Sequence, residues 1–122
     1  MQFNFDNNIP IYIQLVEQLK RLIVSGALTV GERLPSVREL AAKSRTNPNT
    51  VQKALSELEE MGLIYTERTN GKFVTDKKDK IESFREEYAT SMAKRYFSDM
   101  QSIGFSATDA ITYLNELKGE KK

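Results

Sequence analysis

Cysteine and histidine are both absent from the 122 residues, and their absence removes whole classes of chemistry. Without cysteine there is no disulfide framework; without either residue, zinc and other transition-metal sites lose their usual ligands, and no metal or cofactor is expected. Serine-histidine triads and histidine-based acid-base relays are excluded with them. A glycine-rich phosphate loop is missing too, so an enzyme is not expected. No apolar run approaches the roughly 20 residues that a membrane helix needs. The opening MQFNFDNNIP has neither the basic start nor the apolar middle of a secretion signal. A cytoplasmic address with no membrane partner is the expectation.

What is present describes an ordinary globular chain, 29 % charged and 39 % hydrophobic, with room for one modest domain or a small domain and an appendage. The net charge of +1 conceals a local arrangement. Between Arg33 and Lys53 stand five basic residues (Arg33, Arg38, Lys43, Arg45, Lys53) and one acidic residue, Glu39. Glu57, Glu59 and Glu60 follow, so one end of this region is electropositive and the other is not. A mixed, solvated surface accounts for the charges alone equally well.

Helical periodicity dominates the first half. Pro10 suits a first helical turn, and Tyr12, Leu15, Val16, Leu19, Leu22 and Ile23 recur at helical spacing until Gly26. LTVGERLPS reads as a short connection. Ser36 followed three residues later by Glu39 predicts a capping box and a second helix over about Val37 to Lys43, burying Val37, Leu40 and Ala41. Asn47 as cap and Pro48 in the first helical position predict a third helix, with an apolar stripe of Val51, Ala54, Leu55, Leu58 and Met61 ending at Gly62. Beyond it the period shortens to that of strands in LIYTER and KFVT, joined through TNG, where Asn70-Gly71 is a hairpin signal because both residues tolerate positive φ.

Two closely spaced helices followed by a hairpin match a helix-turn-helix with a wing. The third helix leaves Asn49, Gln52 and Lys53 off its apolar stripe, with Thr50 at the margin. The start of a helix offers free backbone amides and partial positive charge to a phosphate, and short amide and hydroxyl side chains there reach base edges. Asn47 and Pro48 are by themselves also simply a good way to start a helix. Ser36 and Arg38 before them, and Arg68 and Lys72 around the hairpin tip, point to double-stranded DNA.

From Pro10 to Val74 the chain resembles the DNA-binding domain of the GntR family of bacterial transcription regulators, in the stretches PIYIQLVEQLKRLIVSGAL, GERLPSVRELA, NPNTVQKALSELEEMGLI and NGKFV. The resemblance implies a mainly α winged helix-turn-helix domain acting as a dimer, a repressor, on a palindromic operator. It assigns DNA contacts to Arg38 and Ser36 in the Leu-Pro-Ser-x-Arg signature and to Asn49, Thr50 and Gln52 on the recognition helix. Arg68, Thr69, Asn70, Gly71 and Lys72 fall in the wing, which in this family enters the minor groove. Arg33, Asn47 and Lys53 complete the expected DNA-binding set. The family tends to have Leu-Gly-Val between the second and third helices; here Ser44, Arg45 and Thr46 leave that turn without a glycine. Arg45 adds a phosphate contact or is merely solvated.

The expected domain boundary falls after residue 75, leaving 76–122 as a two-helix dimerisation region. Ile81, Phe84, Tyr88, Met92, Tyr96 and Met100 recur at helical spacing up to about Gly104. Ser106 with Asp109 starts a last helix carrying Ala110, Ile111, Leu114 and Leu117. A pair of helices has a single apolar interface and cannot enclose a ligand. Those faces must be covered by the wing domain or by a second copy, and two-fold pairing, which would present two reading heads, is preferred. The short tail also resembles the YtrA-like subgroup, which lacks a full effector domain. A small-molecule effector would have only a dimer cleft lined by aromatics to occupy. The competing functional class is a winged-helix protein-interaction module with only non-specific DNA affinity.

Overall fold

Each of the first three helices begins on a residue suited to begin it. In the computed structural model, which describes residues 1–120, Pro10 is the cap of helix α1 (Ile11–Ser25), one position earlier than its expected place in the first turn. Ser36 caps α2 (Val37–Ser44) with both arms of the capping box made: the Ser36 hydroxyl accepts from the Glu39 N–H and a Glu39 carboxylate oxygen accepts from the Ser36 N–H, each at 3.1 Å. Asn47 caps α3 (Pro48–Glu60) by accepting from the Asn49 N–H at 2.7 Å, and Pro48 occupies the first turn. The hairpin strands are β1 (Ile64–Glu67) and β2 (Gly71–Val74), antiparallel with Ile64 opposite Val74 and Glu67 opposite Gly71. Helices α4 (Lys78–Ser102) and α5 (Ala107–Glu120) follow.

The core is built where the apolar stripes of α1, α2 and α3 meet the hairpin. Leu15, Leu19, Ile23, Leu40, Val51, Leu55, Leu58, Leu63, Ile64 and Val74 are all essentially inaccessible, each such side chain contributing roughly 1.5–3 kcal/mol by leaving water. Tyr12, Leu22, Val37 and Met61, expected in the core, are half-buried at its edge, while Val24 and Ser44 are buried in addition. The Ser44 hydroxyl is satisfied by donating to the Leu40 carbonyl at 2.7 Å.

Residues 31–34 do more than connect. The Gly31 N–H donates to the Val74 carbonyl, Val74 N–H to the Glu32 carbonyl and Leu34 N–H to the Lys72 carbonyl, at 3.1, 2.8 and 2.8 Å, and Arg33 pairs with Phe73 in an isolated bridge. The segment thus lies along β2 and ties the start of α2 to the base of the wing. Gly31 and Pro35 at its ends hid this pairing from periodicity.

A second unforeseen feature is an amino-terminal strap. Phe3 and Phe5 stack with centroids 6.2 Å apart and pack half-buried against the core. Two glutamines one turn apart on α1 clasp the strap's backbone. Gln14 donates to the Asp6 and Ile9 carbonyls and accepts from the Asp6 N–H, and Gln18 donates to the Asn4 carbonyl and accepts from the Asn4 N–H.

The chain divides into two compact units, Met1–Arg85 and one beginning at Glu86. The first unit reaches past the expected boundary at residue 75 because Ile81 is buried in its core and Phe84 packs against it. In the second unit the Tyr96 hydroxyl donates to the Ala110 carbonyl at 2.7 Å, and the Phe105 and Tyr113 rings meet edge to face. Ala110 is fully buried between the helices, whereas Met92, Ile103, Ile111, Tyr113, Leu114 and Leu117 are exposed. Among the described residues no helix is long and apolar enough to cross a membrane, and no cluster of acidic side chains is arranged to hold a metal ion.

Candidate nucleic-acid interface

Helices α2 and α3 are joined by the three residues Arg45 to Asn47. Arg45 takes φ 53°, the left-handed region, and is the sole non-glycine residue with positive φ among the described residues. The turn closes as the Arg45 N–H donates to the Ala42 carbonyl and the Thr46 N–H to the Ala41 carbonyl. The missing glycine therefore does not prevent the tight turn. Arginine adopts it at a cost of roughly 1–2 kcal/mol for holding a Cβ in that conformation.

Along α3 the inward positions are filled by Val51, Ala54, Leu55 and Leu58, so helical geometry turns Asn49, Gln52 and Lys53 outward, where all three are exposed. Thr50 is half-buried at the margin. The amide oxygen of Asn47 is occupied with capping, which leaves its NH2 group to meet a partner. Ser36 accepts from the Glu39 N–H with its hydroxyl oxygen, and the same hydroxyl also bears on the Glu39 carboxylate. Arg38, in the first turn of α2, is exposed.

Electrostatics around the start of α2 are set by Glu39. Its carboxyl is held below the usual carboxylate range first by the Ser36 backbone N–H and then by the Ser36 hydroxyl, with smaller help from the charges of Lys43 and Arg33. Arg33, Lys43 and Pro35 also line one surface cavity of about 330 Å³ with Glu32 and Leu28. The sequence-predicted Arg33 thus belongs with α2 and the wing base, and a Cβ added to Gly71 would lie 3.4 Å from its guanidinium.

The wing differs from its expected form in two respects. Glu67 pairs with Gly71, so the loop has three residues, Arg68, Thr69 and Asn70, closed by the Asn70 N–H donating to the Glu67 carbonyl at 3.2 Å. Only Gly71 has positive φ, at 100°, whereas both Asn70 and Gly71 were expected to exploit that freedom. Arg68, Thr69 and Asn70 are exposed at the tip. Lys72 is not: its ammonium lies 3.1 Å from a Glu59 carboxylate oxygen and donates to the Thr66 hydroxyl at 2.8 Å, and its side chain is 19 % exposed. Its charge is committed to fastening the wing to the end of α3. The Glu59 carboxyl is correspondingly held low, first by the Thr66 hydroxyl and then by Lys72, against an opposing desolvation effect.

Sequence reasoning missed Tyr12 and Glu57 in this region. The Tyr12 hydroxyl donates to a Glu57 carboxylate oxygen at 2.6 Å, and the Lys53 ammonium sits 4.3 Å above the Tyr12 ring. The bond to Glu57 pushes the Tyr12 hydroxyl pKa up, with desolvation and the Glu57 and Glu60 charges adding to it. The helical repeat marked Tyr12 as core; nothing local linked it to residues 41 and 45 positions away.

On the arm, the nine expected dimerisation residues separate into groups. Ile81 is buried in the first unit's core, and Phe84 packs partly buried against it. Tyr88, Tyr96 and Met100 are half-buried, with the Tyr96 hydroxyl bonded across to α5. Met92, Ile111, Leu114 and Leu117 remain 40–50 % exposed.

Comparison with known proteins agrees with this geometry. The sequence pattern of the bacterial regulatory proteins of the gntR family matches residues 11–74, from the first residue of α1 to the last of β2. The HTH-type transcriptional repressor YtrA of Bacillus subtilis is 43 % identical over 76 residues, covering 62 % of this chain and 58 % of YtrA. A GntR family transcriptional regulator from Listeria monocytogenes superposes with a TM-score of 0.84 at 38 % identity, over 92 % of this chain and 98 % of that one. The DNA-binding domain of AraR, solved in complex with operator ORX1, aligns with a TM-score of 0.53 at 26 % identity, over 62 % of this chain and 92 % of the domain. Fold and relatives are those of transcription regulators and not of enzymes, and the chain belongs to the GntR family of bacterial transcription regulators, with its winged helix-turn-helix in the first unit.

Proposed function

We propose that this protein is a homodimeric, sequence-specific repressor that binds a palindromic operator in the cytoplasm. The observation that carries the proposal is the open start of α3: Asn49, Gln52 and Lys53 are exposed beside a fully capped α2 bearing Arg38. A helix start with free side-chain donors suits phosphates and base edges together. That YtrA is a transcriptional repressor and that the AraR domain is solved bound to an operator support the same reading. In this assignment Arg38, Asn49 and Gln52 read bases, Ser36, Arg33 and Lys53 hold phosphates, and Arg68 to Asn70 enter the minor groove. Lys72 anchors the wing and touches DNA little.

Exposed apolar side chains on the second unit support the homodimer part of the proposal. Met92, Ile111, Leu114 and Leu117, joined by Ile103 and Tyr113, present exposed apolar surface on a unit whose described residues form two helices. Two-fold pairing on this face buries it and presents two reading heads, as half-sites of an operator require.

Titrating duplexes from the chain's own promoter against random duplexes over a range of salt concentrations tests the proposal. Promoter DNA is expected to bind more tightly at every salt concentration. Arg38→Ala should cost about 1–3 kcal/mol on the specific duplex and loosen preference at one base. Equal binding of promoter and random duplexes throughout would instead favour a protein-interaction module with only non-specific DNA affinity.

A further inference from the structure

Tyr12 stands between two oppositely charged residues of the recognition helix. One face of its ring carries the Lys53 ammonium at 4.3 Å, while its hydroxyl holds a Glu57 carboxylate oxygen at 2.6 Å. Lys53 and Glu57 are four residues apart on α3, the separation at which opposite charges on a helix pair directly. Here they make no ion pair with each other; each is engaged by Tyr12 instead.

We propose that Tyr12 is a positioning residue for DNA binding, which keeps the Lys53 cation available to a phosphate by holding Glu57 away from it. The ring occupies only one side of the ammonium, and the N–H donors on its other side remain able to meet phosphate oxygens. The hydroxyl gives the carboxylate a partner other than lysine. An α1 residue behind the reading surface thereby sets the effective charge of α3. The proposal rests on the reading of Lys53 as a phosphate contact.

Five variants of the full chain test it: Tyr12→Phe, Glu57→Gln, their combination, Lys53→Met, and Lys53→Met with Tyr12→Phe. Each is titrated with promoter and random duplexes at several salt concentrations, with its melting temperature recorded. Tyr12→Phe keeps the ring but frees Glu57 to neutralise Lys53. Affinity for both duplexes should fall about three- to tenfold, and the slope of log affinity against log salt should shrink by about one. Adding Glu57→Gln should restore affinity and slope, which no packing role of the hydroxyl would produce. In the Lys53→Met background Tyr12→Phe should have no further effect. An unchanged slope in Tyr12→Phe, or failure of Glu57→Gln to restore it, overturns the proposal. If Lys53→Met weakens binding but Tyr12→Phe does not, only the role of Tyr12 falls; if Lys53→Met itself changes nothing, the phosphate role of Lys53 falls with it.

Discussion

In the first unit, α1, α2 and α3 leave Leu15, Leu19, Leu40, Leu55 and Leu58 no more than 1 % exposed, whereas α5 in the second leaves Ile111, Leu114 and Leu117 between 40 % and 50 % exposed. Both regions repeat apolar residues at helical spacing, so the repeat does not by itself say what covers it. Three helices and a hairpin can enclose a core on all sides. Two helices bury only the line along which they touch, here at Ala110 and Tyr96. Apolar side chains beyond that line form an exposed surface, the kind of surface that a second copy is proposed to cover. The head is therefore expected to hold its structure alone, and the arm to hold copies together.

Core truncation gives the largest expected effect. Leu58→Ala, at a fully buried site on α3, should lower stability by about 2–5 kcal/mol in denaturant unfolding. A loss below 1 kcal/mol would show the head to be loosely packed and erase the contrast with the arm. Next comes the arm itself. Leu114→Glu should weaken self-association by about 2 kcal/mol or more, halving the mass in sedimentation while leaving the helical circular dichroism of the head in place. An unchanged mass would mean that the exposed stripe of α5 does not face a second copy.

The cap of α2 yields a smaller change, confined to the head. Ser36→Ala should cost about 1 kcal/mol of stability, read as a shift of the denaturant midpoint. Acid acts on the same cap. The Glu39 and Glu59 carboxyls are held below their ordinary range by bonds made only in the folded chain. Their contribution is present above the ordinary carboxylate pKa and is lost as pH falls through the lowered folded values. Melting temperature should drop over that window, with a shallower drop in a variant carrying Glu39→Ala and Glu59→Ala.

Arg45→Gly is the smallest effect. Relief of the left-handed arginine is worth roughly 1–2 kcal/mol, and the extra chain entropy of glycine returns roughly 0.5–1 kcal/mol of that. A net gain of about 0–1.5 kcal/mol in chemical denaturation is expected, and any sizeable loss would show that the Arg45 side chain holds the turn through contacts of its own.

The features that sequence made legible are those decided within a few residues. The Ser36–Glu39 box, the Asn47 cap with Pro48 behind it, and the Ser106 hydroxyl accepting from the Asp109 N–H are all contained in one helical turn. The order of the quoted family stretches supplied the winged architecture. What stayed hidden depends on distant partners. Residues 31–34 pair with β2 some forty positions later, Lys72 on β2 answers to Glu59 at the end of α3, and Tyr12 answers to α3. The basic wing residue expected at DNA is thus paired with Glu59 at the surface of the head, and the aromatic expected in the core is bonded to α3 at the core's edge. Ile81 and Phe84 show the same limit on the arm, since their spacing continues the stripe of α4 although the head's core takes them up.

Amide shift mapping of the full chain with a promoter duplex tests the central claim most directly, because it reports which backbone positions meet DNA. The account predicts the largest changes at Ser36 to Arg38, at Asn47 to Lys53 and at Arg68 to Gly71, with little at Ile111 to Leu117. Changes concentrated on α5, with the start of α3 undisturbed at saturation, would contradict it.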